Sequence, residues 1–172
     1  MFSCGTGEGC LIQLMAENFK LWSDDLTNPM GKIHVFDDFG AGGENESPHL
    51  AWSGAPEGTK SFLVTCYDPD APTVSGWWHW CVANIPASVT SLEAGISAYP
   101  EGSVIGLNDY NQTGYGGACP PPGDPAHAYV FTVYALGTEA MDVTPGTQPA
   151  MIMFMANEHI LGKASLVSYY GR

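Results

Sequence analysis

Basic residues are scarce in this chain: the 172 residues include 5 Lys and Arg against 18 Asp and Glu, giving a formal net charge of −13. A negative charge of this size repels phosphodiester backbones and anionic lipid surfaces at long range. No cluster of basic residues offsets it. The composition therefore argues against a nucleic-acid partner.

Long apolar runs and paired cysteines are also missing. No run of 18 apolar residues occurs, so no membrane span is expected. Met1–Cys10 contains no Lys or Arg and the apolar patch Cys10–Ala16 is short, which is unlike a secretory signal. The five cysteines form no CxxC pair, which indicates neither a disulfide framework nor a zinc ribbon. We expect a cytoplasmic protein in which Cys66 and Cys81 are core residues of predicted strands.

What the chain has instead is glycine (21) and proline (13), with a charged fraction of only 13%. This balance favours short strands and many turns, so we predict one mainly β domain over residues 19–172 and a loosely attached extension over residues 1–18. One amphipathic helix is predicted over Gln148–Ile160, packed on an antiparallel β sandwich. The predicted strands are Phe19–Leu21, Ile33–Phe36, Pro48–Trp52, Ser61–Tyr67, Trp77–Ile85, His127–Leu136 and Ala164–Tyr170.

Two stiff loops each lead into a strand that carries a histidine. The first lies in DPDAPTVSGWWHWCVAN (68–84) and the second in CPPPGDPAHAYVFTVYAL (119–136). Prolines restrict the backbone of both loops, which suits a preorganised polar site. Because alternate strand residues share a face, we expect His79 to lie beside Trp77 and Cys81, and His127 beside Tyr129. We expect the Asp68 carboxylate to orient the His79 ring, and Trp80 to be core.

These two segments resemble the phosphatidylethanolamine-binding protein family, also called Raf kinase inhibitor-like proteins, in its bacterial branch. The resemblance runs from about Phe19 to Arg172 and also includes SPHLAWSGAPEGTKSF (47–62) and HILGKASLVSYYGR (159–172). It implies a large antiparallel β sandwich with a C-terminal helix, few short helices and a small anion pocket. Such a pocket would hold a small anion or a phosphoryl head group, without a cofactor or a metal.

The resemblance also implies which residues form the pocket. They are Asp68, Asp70, Pro72, Trp78, His79, Cys119, Pro120, Pro121, His127 and Tyr129. Relatives commonly have His-Arg-Tyr where this chain has His127-Ala128-Tyr129. Because strand parity turns residue 128 away from the pocket, we expect anion binding to depend on the two histidines and on backbone N–H groups, and therefore on pH.

Other interpretations remain open from the sequence. Asp68, His79, His127 and Cys119 are all residue types that zinc accepts, although their spacing is wide. Cys119 beside two histidines could act as a thiolate nucleophile if its pKa were low. An enzyme that transfers protons in this pocket is one alternative function, and a kinase or protease inhibitor acting through a protein partner is another. The sequence is compatible with a monomer or a homodimer.

Overall fold

The computed structural model describes residues 18–172; the expected extension over residues 1–18 lies almost wholly outside this range. Eight strands and one α-helix are present in the described part. Two 3-10 turns, Lys32–His34 and Asn157–His159, complete the regular structure. In chain order the elements are β1 (Lys20–Trp22), β2 (Leu50–Ser53), β3 (Ser61–Asp68), β4 (Trp77–Pro86), β5 (Ser91–Leu92), β6 (Val104–Ile105), β7 (His127–Leu136), α1 (Pro149–Ala156) and β8 (Ile160–Tyr170).

The strands form two antiparallel sheets that pack face to face. The larger sheet has the order β6-β4-β3-β7-β8 and the smaller has the order β1-β2-β5. Between them lies a core in which the Trp52 ring meets the Phe62 ring edge-on, with centroids 5.3 Å apart. Trp80 and Cys66 are fully buried in the same core. The predicted antiparallel β sandwich is therefore confirmed.

Helix α1 covers the other face of the larger sheet. Ile152 and Ala156 pack there against Leu63, Cys81 and Leu136. The helix is shorter than the expected Gln148–Ile160, because the chain tightens into a 3-10 turn at Asn157 and enters β8 at Ile160. No helix in the described residues is long and apolar enough to cross a membrane.

The segment expected as a strand over Ile33–Phe36 is not one. Residues 32–34 form a 3-10 turn, and Val35 makes only an isolated bridge to Ala118. A neighbouring loop supplies the backbone partners, since the Asn45 N–H donates to the Val35 carbonyl. Val35 and Phe36 are both buried, so the two consecutive side chains enter the core without the alternation of a strand.

A bulge in β4 corrects the expected parity of that strand. Tyr67 pairs with Trp78, whereas the preceding Cys66 pairs with Trp80, so His79 is an extra residue. Beyond the bulge, Trp80 enters the core between the sheets and Cys81 lies under α1. His79 therefore does not share a face with Cys81. It keeps its place beside Trp77 at the end of the sheet.

Candidate functional site

A cavity of about 320 Å³ opens at the end of the larger sheet, where β3 ends and both β4 and β7 begin. The antiparallel pairing of β3 with both neighbours brings the two stiff loops together there. Seven of the residues implied by the resemblance line this cavity: Asp68, Pro72, His79, Cys119, Pro120, Pro121 and His127.

Asp68 lines one wall of the cavity and is almost completely buried. Its Oδ1 accepts the backbone N–H groups of Asp70 (2.8 Å) and Ala71 (3.1 Å). Its Oδ2 accepts the Nδ1–H of His127 at 2.8 Å. The carboxylate thus fixes both its own loop and the His127 ring. The prediction that Asp68 orients His79 is therefore wrong, because Asp68 orients His127 of β7 instead.

His79 makes its hydrogen bond to the backbone. Its Nδ1 lies 2.7 Å from the Gly116 carbonyl oxygen, which can only accept, so Nδ1 carries the proton. Burial lowers the pKa of His79 to about 4, although Gly116 and Asp68 oppose this shift. The ring is therefore neutral at pH 7, and its Nε2 is a hydrogen-bond acceptor toward the cavity. This differs from the expectation that both histidines donate to an anion.

Three residues implied by the resemblance do not line the cavity. Asp70 points to the neighbouring backbone, where its Oδ2 accepts the Ala128 N–H at 2.8 Å. Trp78 packs its ring against Tyr67 on the other face of the sheet, with centroids 4.6 Å apart. Tyr129 lies behind His79, 5.1 Å from its ring centre, and its buried hydroxyl has no partner among the described residues. Trp77, which lies beside His79 as strand parity predicts, faces the cavity in place of Trp78.

The structure adds cavity residues that the sequence did not indicate. Phe39, Trp77 and Tyr110 contribute aromatic rings, and Arg172 contributes a guanidinium group. Tyr110 is central, because its ring stacks on Phe36 at 4.1 Å and meets the Trp77 ring edge-on at 5.2 Å. The indole N–H of Trp77 is buried without an acceptor among the described residues. These residues come from separate parts of the chain, so no local motif marks them.

Arg172 is the single arginine of the sequence. Its Nε donates to the Pro120 carbonyl at 2.6 Å, and its Nη1 donates to the Phe39 carbonyl at 3.3 Å. Its Nη2 lies 3.7 Å from the Cys119 Sγ. No carboxylate forms an ion pair with it in residues 18–172. The guanidinium therefore joins two rims of the cavity and keeps N–H groups that these bonds do not use.

Cys119 does not have the properties of a thiolate nucleophile. Burial raises the pKa of its thiol, and the nearby Arg172 only partly opposes this effect. A catalytic cysteine of the Cys-His kind needs the opposite shift. Within the described range, no group of three or more His, Cys, Asp and Glu side chains is arranged to hold a metal ion.

A larger groove of about 570 Å³ lies elsewhere, between the Asn45–Ser47 loop and Tyr99. Its only carboxylate is the exposed Glu46, and it is lined by no histidine, cysteine or arginine. We place the candidate site in the smaller cavity because buried, oriented polar groups meet there.

Comparisons with known proteins identify relatives of the whole chain. The chain is 48% identical to the UPF0098 protein YbhB of Escherichia coli K12 over 157 residues, covering 88% of this chain and 99% of YbhB. It is 52% identical to YbcL of the same strain over 162 residues, covering 90% of this chain and 88% of YbcL.

Solved structures show the same relationship. The crystal structure of Escherichia coli YbcL, described as a new member of the mammalian PEBP family, has a TM-score of 0.88 and 46% identity, covering 90% of this chain and 99% of YbcL. A homolog from Chlamydia trachomatis, CT736, has a TM-score of 0.76 and 29% identity, covering 90% of this chain and 97% of CT736. The family model described as phosphatidylethanolamine-binding protein matches residues 23–171. The chain therefore belongs to the phosphatidylethanolamine-binding protein family.

Proposed function

We propose that the cavity binds a small anion, in particular a phosphate-like group such as the phosphoryl head group of a lipid. The observation that carries this proposal is the Arg172 guanidinium, which lines the cavity without a carboxylate partner in the described residues. Backbone carbonyls of two loops fix this guanidinium at the cavity, so in a chain with 18 acidic and 5 basic residues it is a cation already placed to bind an anion. The family name, which refers to a phospholipid, supports the same ligand chemistry.

The geometry of Arg172 suits an oxyanion. A guanidinium presents five N–H donors in a planar fork that matches the oxygens of carboxylates and phosphates. Its bonds to Pro120 and Phe39 hold the fork in place before a ligand arrives, which reduces the ordering cost of binding.

The two histidines complete the site in different ways. His127 is held through Nδ1 by Asp68, which leaves its Nε2 for a ligand; the Asp124 Oδ2 lies 3.6 Å from the same nitrogen. His79 offers an acceptor through Nε2. The cavity therefore favours a ligand with an anionic oxygen for Arg172 and a protonated oxygen for His79. A singly protonated phosphate has both.

Calorimetric titration with inorganic phosphate at pH 7 tests the proposal. Arg172→Gln should weaken binding about tenfold or more, since a hydrogen bond to a charged group contributes roughly 1.5–3 kcal/mol. Arg172→Lys keeps the charge but not the fork, so its affinity should be intermediate. Lys163→Gln is the matched control, because it removes one positive charge at an exposed position of β8.

Equal phosphate affinity in the native protein and Arg172→Gln would remove Arg172 from the site. Absence of any binding of phosphate or acetate at millimolar concentration would refute the proposed function itself. Thermal unfolding of each variant, measured in parallel, separates loss of the ligand contact from loss of the fold.

A further inference from the structure

We propose that the ligand carries a flat apolar group, such as an aromatic ring, next to its anionic group, and that Phe39 contacts this group and selects for it. This inference rests on the proposed anion-binding function and specifies the ligand class of the same cavity. It makes Phe39 a specificity-determining residue.

The size of the cavity supports the inference. A volume of about 320 Å³ equals roughly ten water molecules at liquid density. An inorganic phosphate has five non-hydrogen atoms and fills only part of that space. A ligand that fills the cavity therefore has a second part beyond the anion.

The lining indicates the chemistry of that second part. Apart from the polar groups around Asp68 and Arg172, the cavity is bounded largely by aromatic rings and prolines. The aromatic rings form a connected cluster, in which Phe39 lies 5.8 Å from Phe36 and 6.3 Å from Tyr110. Aromatic side chains prefer to contact other rings edge-on or offset-stacked. The space beside them suits a planar apolar group.

Phe39 lies at the first central position of a tight turn, in which the Asp38 carbonyl accepts the Ala41 N–H at 3.0 Å. Its side chain is 66% exposed, and its backbone has a φ of 49°, in the left-handed region that non-glycine residues rarely adopt. Both central residues of this turn have positive φ, since Gly40 has a φ of 70°, and Gly, Asn or Asp usually occupy such positions. A phenylalanine is therefore an unusual residue at this turn position, and its largely exposed ring at the rim of the cavity is available to contact a ligand.

The position of Phe39 relative to Arg172 connects the two parts of the ligand. The Asp38 carboxylate accepts the Phe39 N–H at 2.7 Å, and Arg172 donates to the Phe39 carbonyl at 3.3 Å. The residue that would hold the anion therefore also positions the exposed ring. An anion on the guanidinium places the group attached to it close to Phe39.

The test compares methyl phosphate with phenyl phosphate by calorimetric titration, and the ratio of the two dissociation constants is the readout. In the native protein we expect phenyl phosphate to bind about tenfold more tightly or better, because burying one ring against aromatic neighbours contributes at least that much. Phe39→Ala should reduce the ratio to about threefold or less. Phe39→Tyr retains the ring and should retain the ratio.

Phe154→Ala is the matched control, since Phe154 is a 77% exposed phenylalanine on α1 and lines no part of this cavity. It should leave the ratio unchanged.

If methyl and phenyl phosphate bind the native protein equally well, the inference fails while the anion site stands. If phosphoethanolamine gains affinity over methyl phosphate and phenyl phosphate does not, the inference also fails. If neither methyl nor phenyl phosphate binds, the proposed function fails with it. An unchanged ratio in Phe39→Ala overturns the assignment of Phe39.

Discussion

Replacing Asp68 by Asn tests how the cavity fixes its histidine. In the native protein the ionised carboxylate can only accept a hydrogen bond, so the His127 ring must carry a proton on Nδ1. An Asn side chain has one oxygen and one amide NH₂ group. If its oxygen keeps the bonds from the Asp70 and Ala71 N–H groups, its NH₂ group faces His127 and donates to Nδ1. The ring must then move its proton to Nε2.

The expected cost follows from the same contacts. Asp68→Asn replaces one buried charge-assisted hydrogen bond by a neutral one and keeps the two backbone bonds, so we expect the free energy of unfolding to fall by about 1–2 kcal/mol. Asp68→Ala leaves two backbone N–H groups and the His127 N–H without their acceptor. Because each unsatisfied buried group costs roughly 1–3 kcal/mol, the loss should be clearly larger than in the Asn variant.

Two measurements check this reasoning. Urea denaturation at pH 7 gives the order of stability, native above Asn above Ala. Nitrogen-15 NMR of the histidine rings reports which nitrogen of His127 carries the proton, and the His79 signal is an internal control because Gly116 holds its tautomer. An Asn variant in which His127 still carries the proton on Nδ1 would refute the proposed role of Asp68.

Two further predictions concern the neighbouring strands. Burial lowers the pKa of His79 from 6.5 to about 4, so between these values the unfolded chain binds more protons and stability falls as pH drops. From pH 6.5 to 5.0 this effect lowers the free energy of unfolding by roughly 1.5 kcal/mol. Urea denaturation should find this loss in the native protein but not in His79→Gln. An equal loss in both proteins would contradict the prediction. Ala128 lies on the β7 face opposite the buried His127, so Ala128→Arg should change phosphate affinity by less than about 1 kcal/mol and keep or slightly raise the melting temperature. A large gain in affinity with steep salt dependence would show that residue 128 reaches the cavity.

The long strands could be predicted from the sequence because their signals are local. β7 begins and ends where the pattern indicates, at His127 and Leu136, and β3 and β4 each extend one residue further than expected. Apolar, β-branched and aromatic tracts of this length, bounded by prolines, favour buried strands. The two-residue strands β5 and β6 are too short to produce any period and depend on pairing with β2 and β4.

The site could be predicted less completely, because its contacts depend on which strands lie next to each other in the sheet. Asp68 ends β3, which lies between β4 and β7, so either His79 or His127 could have been its partner. Sequence alone does not give that choice, nor does it show the extra residue at His79, which removes Cys81 from the face of His79. Arg172 and Phe39 are 133 positions apart, and only the folded chain shows that they meet.

The assembly of the cavity from distant segments has a consequence for finding its ligand. The unfolded chain cannot bring Phe39, Asp68, His127 and Arg172 together, so a ligand of this cavity binds only the folded state. A ligand at one hundred times its dissociation constant then raises the free energy of unfolding by about 2.7 kcal/mol. This gain does not depend on whether the cavity performs a reaction. Thermal shifts can therefore rank phosphates and carboxylates by affinity, and loss of the shift in Arg172→Gln identifies those that bind at this cavity.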